Sequence, residues 1–256
     1  MTVLILGGTA EARALAELVQ QAGLAFTSSL AGRVARPRLP VGPVRIGGFG
    51  GVDGLRGYLR DEPIQLVVDA THPFAEGMTR NAVAACAAED VPLLRLERPG
   101  WAQTAPEEAA SWHWVDSHAE AARVTAELSQ RPFLTVGRQR LGEFTEALAD
   151  HQALVRVVDA PDLELPAAWT LLTSRGPYTL AGERDLIAAH GLDAVVTKDS
   201  GGTWTWPKMA AASELDLPVV IVRRTPPPMG AGGDHVVHDP AEALSWLLAR
   251  GAAAAS

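Results

Sequence analysis

Val3-Leu-Ile-Leu-Gly7 is matched, in the second half of the chain, by Phe133-Leu-Thr-Val-Gly137. Leu66-Val-Val-Asp69-Ala-Thr71 is matched in the same way by Ala194-Val-Val-Thr197-Lys-Asp199. Val91-Pro-Leu-Leu-Arg-Leu-Glu-Arg-Pro99 is matched by Leu217-Pro-Val-Val-Ile-Val-Arg-Arg-Thr-Pro226. The offsets are 130 residues from Gly7 to Gly137, 128 from Leu66 to Ala194 and 126 from Pro92 to Pro218. Buried parallel strands all read as short Val/Ile/Leu runs, so composition alone would prove little. The shared order and the nearly constant offset carry the inference. They predict two similar α/β halves with largely parallel sheets and a cleft between them, where open parallel sheets put their ligands.

The chain has 256 residues, room for two domains of about 100–200 residues or less each. A hydrophobic content of 47% with 20% charged residues supports a full core. The formal charge of −8 argues against nucleic acid, which needs a basic face. The single cysteine, Cys86, excludes an internal disulfide framework and reads as a small core residue. The first strand begins at Thr2 with no basic leader, and no apolar run approaches the ~18 residues needed to span a bilayer. These features predict a cytoplasmic chain with no membrane partner.

Apolar periodicity places a strand at Val3–Leu6, a helix over Glu11–Ala22 and a strand at Ala25–Leu30. A helix around Val52–Leu59, a strand at Leu66–Val68, a helix from Glu76 to Glu89 and a strand at Pro92–Leu96 follow. Strands alternating with helices imply parallel pairing through crossovers. The aperiodic Pro/Gly/Ala-rich stretch from Arg98 to Glu108 reads as the linker. The expected division is therefore 1–99 and 100–256, with the last strand and helix open to exchange between the two. In the second half, Ser117-His-Ala-Glu120 has the spacing of a capping box. Strands are expected near Trp112–Val115, Phe133–Val136, Leu154–Val158, Leu171–Thr173, Ala194–Thr197, Val219–Val222 and Val236-Val237, and a final helix behind Asp239-Pro240.

Gly7-Gly8-Thr9-Ala10-Glu11-Ala12-Arg13 joins the first strand to the first helix, where backbone N–H groups and the helix dipole favour a phosphate. It departs from G-x-G-x-x-G, with Thr9 at the second glycine and Ala12 at the third. The end of the second strand lies beside the ribose 2′-position in dinucleotide folds, and an acid there favours NAD. Ser28-Ser29-Leu30-Ala31-Gly32-Arg33 offers hydroxyls and a guanidinium instead, which suit a 2′-phosphate. NADPH is therefore expected over NADH. The alternative is that Arg33, Arg36 and Arg38 form an ordinary solvated basic loop.

Asp69-Ala-Thr-His72-Pro73-Phe74-Ala75 follows a buried strand, so its polar groups emerge at the carboxyl edge of the sheet. His72 can donate a hydrogen bond or a proton near neutral pH. Its counterpart in the second half is Thr197-Lys198-Asp199-Ser200-Gly201-Gly202, with Lys208 on the helix beyond. Arg138 and Arg140, then Arg175 and Tyr178, stand at further strand ends of that half. This gathering of cations in an acidic chain points to a polyanionic ligand. No Cys/His metal constellation, nucleophile elbow or Walker pattern is present, and neither tyrosine has a lysine four residues on.

Taken in order, GGTAEAR, DATHPFA, RLERPGW, Gly176-Pro-Tyr178 and TKDSGG with its downstream lysine resemble the precorrin-6A reductase family of cobalamin biosynthesis. The resemblance runs from the first strand to about Pro226. It implies two Rossmann-like domains and NAD(P)H-dependent reduction of one double bond of the precorrin-6A macrocycle, giving precorrin-6B, without flavin or metal, and the Ser29–Arg33 segment resembles the NADPH-using branch rather than the NADH-using cobalt branch. The tetrapyrrole is the implied small-molecule partner, with neighbouring pathway enzymes as further candidates. The expected cofactor contacts are Gly7, Gly8, Thr9, Ala10, Glu11, Ser28, Ser29, Arg33, Thr71, His72 and Pro73. The expected substrate contacts are Arg138, Arg140, Arg175, Tyr178, Lys198, Ser200, Gly201 and Lys208. His72 is the first choice for a proton donor and Lys198 the second. The stretch Gly202-Thr-Trp-Thr-Trp-Pro-Lys208 lacks the glutamate that often precedes the lysine in relatives, which leaves the role of that turn open. Two other readings remain at this level: an NADPH-binding sensor without turnover, and a two-domain transferase using a nucleotide-sugar donor.

Overall fold

The computed structural model describes residues 1–32, 36–226 and 235–253. Two compact units emerge, Met1–Arg98 with Pro226–Ser256, and Pro99–Thr225. The first opens with β1 (Thr2–Leu6), α1 (Ala10–Gln21), β2 (Ala25–Leu30) and β3 (Val44–Ile46), then α2 (Val52–Asp61), β4 (Leu66–Asp69), α3 (Glu76–Ala88) and β5 (Leu93–Leu96). The second begins with two single-turn helices, α4 (Trp101–Thr104) and α5 (Pro106–Ala109), followed by β6 (His113–Val115), α6 (His118–Leu128) and β7 (Pro132–Leu134). A 3-10 turn (Arg138–Glu143), β8 (Leu154–Val157), β9 (Thr170–Thr173), α7 (Leu180–His190), β10 (Ala194–Lys198), α8 (Pro207–Glu214) and β11 (Val219–Val222) complete it. The chain then returns to the first unit as β12 (Val236–Val237) and α9 (Pro240–Ala253).

Each unit has one six-stranded, wholly parallel sheet. The orders are β12-β5-β4-β1-β2-β3 and β6-β11-β10-β7-β8-β9. Both are the 3-2-1-4-5-6 arrangement of a doubly wound dinucleotide-binding fold. The outermost position is filled differently: in the first unit by the last strand of the chain, in the second by that unit's own first strand. The sequence echo is thereby explained, because β1 and β7, β4 and β10, and β5 and β11 hold equivalent places in the two sheets.

Strand alternation distributes each core over both faces of its sheet. Val3 and Ile5 pack with α1 and α9 side chains such as Leu15 and Leu247, whereas Leu4 and Leu6 pack with Leu55 and Ala82 of α2 and α3. Each fully buried aliphatic side chain contributes roughly 1.5–3 kcal/mol. In the second unit Phe133, Val195 and Ile221 pack with Ile187 and Met209 and a group of tryptophans.

One expectation requires correction, and the placement of the last strand and helix, left open above, is decided. The stretch from Arg98 to Glu108 is not an extended linker: Trp101, 1% exposed, anchors α4, and Pro106 starts α5. Its Pro/Gly/Ala composition masked that anchor. The C-terminal strand and helix complete the first unit rather than the second, since Val236 and Val237 pair with Arg95 and Leu96. The expected capping box forms only in part: the Ser117 hydroxyl accepts from Glu120 N–H at 3.1 Å, whereas the Glu120 carboxylate accepts from Asp116 N–H at 2.9 Å, one residue before the N-cap.

Candidate functional site

The point where strand order reverses in the first sheet lies between β1 and β4, so the loops after those strands border one crevice. After β1, Gly8 takes φ +114°, a conformation that favours glycine, with open space where a Cβ would stand. A Cβ on Gly7 would meet Ala12 and Leu30 at 3.4 Å, so the turn packs closely on α1 and β2. Thr9 caps α1: its Oγ1 accepts from Ala12 N–H at 3.1 Å and donates to the Ala70 carbonyl at 2.8 Å. The threonine thus ties the β1 turn to the β4 loop. Ser28, 1% exposed, has an Oγ with no hydrogen-bond partner among the described residues. It lines a small concavity with Gly7, Gly8, Ala12, Arg13, Leu30, Arg38 and Pro40. An orphaned buried hydroxyl, a side-chain-free turn, a helix N-terminus and two arginines fit a nucleotide phosphate.

Glu11 and Ser29 hold other positions. The Glu11 carboxylate pairs with Arg98 at 2.8 Å. Ser29 lies across the β2–β3 register from Arg45, whose Nη1 also donates to the Gly47 carbonyl and whose guanidinium lies 4.0 Å from the Phe49 ring centroid. Arg33 lies outside the described residues.

The loop after β4 is held from below. Asp69, fully buried, accepts from Thr71 N–H at 3.1 Å, Thr71 Oγ1 at 2.7 Å and Thr79 Oγ1 at 2.7 Å, and pairs with Arg95 at 2.8 Å. Thr71 is therefore committed to shaping the loop, and Pro73 is buried. His72 is half-buried, and its Nδ1 accepts from Phe74 N–H at 3.2 Å. That bond places the proton of the neutral ring on Nε2, the atom then able to donate. Cys86 sits deep in the core, where burial first and the Asp69 charge second push its thiol up to about 12. It is an inert packing residue.

In the second unit the reversal lies between β7 and β10. Lys198 ends β10, and its Nζ would lie 3.6 Å from a Cβ on Gly137, the first residue after the β7 segment to adopt positive φ. Asp199, 6% exposed, accepts from Trp101 N–H at 2.8 Å, and its carbonyl accepts from Arg224 Nε at 2.8 Å. Gly201 has φ +62°, and a Cβ there would overlap the Pro99 carbonyl and the Arg224 guanidinium. Its role is steric. Ser200 stands half-exposed beside it.

The expected cationic set divides. Arg138 donates to the Ala160 carbonyl at 3.3 Å, Arg175 is exposed, and Arg140 forms an exposed pair with Glu143 at 3.0 Å. Lys208 is not on an open rim: it is 3% exposed, its Nζ donates to the Thr205 carbonyl at 2.9 Å, and it lies 4.8 Å from the Trp101 ring centroid. Burial, then the nearby Arg156 charge, lower its ammonium to about 7, with Glu183 opposing and Lys198 adding to the shift. The sequence reading missed Arg95 and Arg156. Each is a cation inside an otherwise apolar strand, Leu93-Leu-Arg-Leu96 and Leu154-Val-Arg-Val157, and a buried cation requires a buried anion.

Comparison with known proteins follows the same chain-wide pattern. Residues 2–248 match the family described as Precorrin-6x reductase CbiJ/CobK. A precorrin-6A reductase of Rhodococcus erythropolis is 47% identical over 96% of each chain. A cobalt-precorrin-6A reductase of Priestia megaterium is 32% identical over 87% of this chain and 90% of its own. A solved structure of CobK precorrin-6A reductase superposes with a TM-score of 0.88 at 37% identity, covering 98% of this chain and 97% of that one.

Proposed function

The chain belongs to the precorrin-6x reductase family, reductases of cobalamin biosynthesis that act on a CH–CH group with a reduced nicotinamide cofactor, and on that premise we propose that it reduces precorrin-6A to precorrin-6B with NADPH held at the β1–α1 turn. The observation that carries the cofactor assignment is the buried, unpartnered Ser28 hydroxyl beside the open Gly7-Gly8 turn and two arginines. The preference for NADPH is supported by the absence of any acid in Ser28–Arg33. Because the family match spans both units, a sensor enzyme-like in its first half only does not account for it.

When bound, the reduced nicotinamide supplies the hydride for the macrocycle carbon. The protein's own groups bind and orient. Gly7, Gly8 and the α1 N-terminus receive the phosphates, with Ser28 and the arginines of the Ser28–Arg38 stretch at the ribose phosphate. Asp69, Thr71 and Arg95 fix the loop that presents His72, whose Nε2 gives up its proton in this reading as Nδ1, released by Phe74 N–H, takes one up from solvent. Lys198, Ser200, Arg138, Arg175 and Tyr178 take the carboxylates and the ring of the tetrapyrrole, so that catalysis is chiefly orientation. Anaerobic incubation with precorrin-6A and NADPH tests this: stoichiometric NADPH oxidation with formation of precorrin-6B supports it. Binding of a nucleotide sugar with no nicotinamide oxidation would overturn it in favour of the transferase reading.

A further inference from the structure

Arg156 is 7% exposed and Glu183, on α7, is 1% exposed. Their side chains meet at 2.6 Å between Nη1 and Oε1, while Glu183 Oε2 has no hydrogen-bond partner among the described residues. A buried ion pair is a weak way to stabilise a fold, because apolar residues of similar volume do as well or better. This one has a specific neighbour on its other side. The Arg156 guanidinium carbon lies 3.7 Å from the Tyr178 ring centroid and 4.6 Å from that of Phe133, so the cation sits over both aromatic rings. Phe133 is fully buried in β7, a fixed floor. Tyr178 belongs to an irregular segment between β9 and α7, is half-buried, and its hydroxyl donates to the Ser174 carbonyl at 3.1 Å. A loop tyrosine is thus held at its face by a cation and at its hydroxyl by its own loop.

We propose that Arg156, oriented by Glu183, is a positioning residue that fixes the Tyr178 ring for contact with the conjugated macrocycle, and so sets affinity for the tetrapyrrole rather than the rate of hydride transfer. The proposal rests on the reading of Tyr178 as a substrate contact. The position favours arginine, since a lysine ammonium is a compact point charge that keeps the charge but lacks the planar group that stacks on aromatic faces. Glu183 acts one step removed, by holding the guanidinium plane.

The test uses the full chain in four forms: Arg156→Lys, Tyr178→Ala, the double variant, and Glu183→Gln. KM for precorrin-6A, kcat, NADPH affinity and thermal stability are measured for each. A lost cation–π contact of about 1–2 kcal/mol corresponds to a rise in KM on the order of 10-fold. Arg156→Lys is expected to raise KM by about that factor with kcat and NADPH affinity within about two-fold. The double variant is expected to be no worse than Tyr178→Ala, because the two residues act through one contact. If Arg156→Lys fails to fold, Glu183→Gln carries the test and is expected to raise KM in the same direction. An unchanged KM in the folded variant, or effects that add in the double variant, overturns the positioning role while leaving Tyr178 in the site. An unchanged KM in Tyr178→Ala overturns the substrate reading on which the proposal rests.

Discussion

Asp69 and Arg95 face each other across β4 and β5 as a buried ion pair, 2.8 Å apart, directly before the loop that carries His72. The same carboxylate accepts from Thr71 and Thr79, so one acid organises the loop and the start of α3.

Asp69→Asn leaves Arg95 with Glu97 as its remaining anion, at 2.8 Å, and is expected to cost about 3 kcal/mol. Urea unfolding checks the stability. Turnover should fall with it at temperatures where the variant is still folded, because the loop is no longer held. Undiminished turnover would show that the network serves the fold alone.

Ser28→Ala separates stability from binding. Removing an unpartnered buried hydroxyl should leave stability unchanged or raise it by up to ~1 kcal/mol. NADPH affinity should fall by roughly 10-fold or more, the equivalent of one hydrogen bond to a charged group of about 1.5 kcal/mol or above. Fluorescence titration of the nicotinamide reads this directly, and an unaltered affinity would remove Ser28 from the cofactor site.

His72→Ala should lower kcat by about 100-fold if Nε2–H is the proton donor, with NADPH affinity retained. Comparison of kcat with the KM for precorrin-6A in both forms gives the decisive readout: the loss should fall on kcat, with KM within about two-fold. Retained turnover takes His72 out of the chemistry.

Lys208 makes stability depend on pH. Its native ammonium is lowered to about 7, whereas in the unfolded chain it titrates near 10.4. Below pH 7 both states hold the proton and the burial penalty is full. Between 7 and about 10 the unfolded state binds the extra proton, so unfolding becomes costlier as pH rises, by up to about 1.4 kcal/mol per pH unit. Relative to Lys208→Met, the wild type should therefore gain stability from pH 7 to 9.5. Denaturation of both forms at pH 6, 8 and 9.5 checks it, and parallel curves would contradict the shift.

The frame of the molecule was legible because β1, β4 and β5 and their counterparts β7, β10 and β11 are buried and read as short, largely apolar runs, Arg95 being the exception inside one of them. β3 was not, since Val44-Arg-Ile46 is a short edge strand with partly exposed side chains. Nor was α7, whose apolar residues are dispersed around Leu180–His190. In the site, glycines and loop polars announced where a ligand sits. What they could not show was commitment. Thr71 and Lys208 carry the right chemistry, yet the structure engages both with their neighbours, because a buried hydroxyl or ammonium must be paired. Ion pairs such as Arg156–Glu183 join residues 27 apart, beyond any local pattern, and the only trace they leave is an arginine within an apolar strand.

Calorimetric titration of the purified protein with NADPH and with NADH tests the central claim most directly. Saturable one-to-one binding of NADPH, at least about 10-fold tighter than NADH and weakened in Arg33→Ala, is the predicted result. Tighter binding of NADH, or no binding of either, would contradict a nicotinamide phosphate site at the first glycine turn.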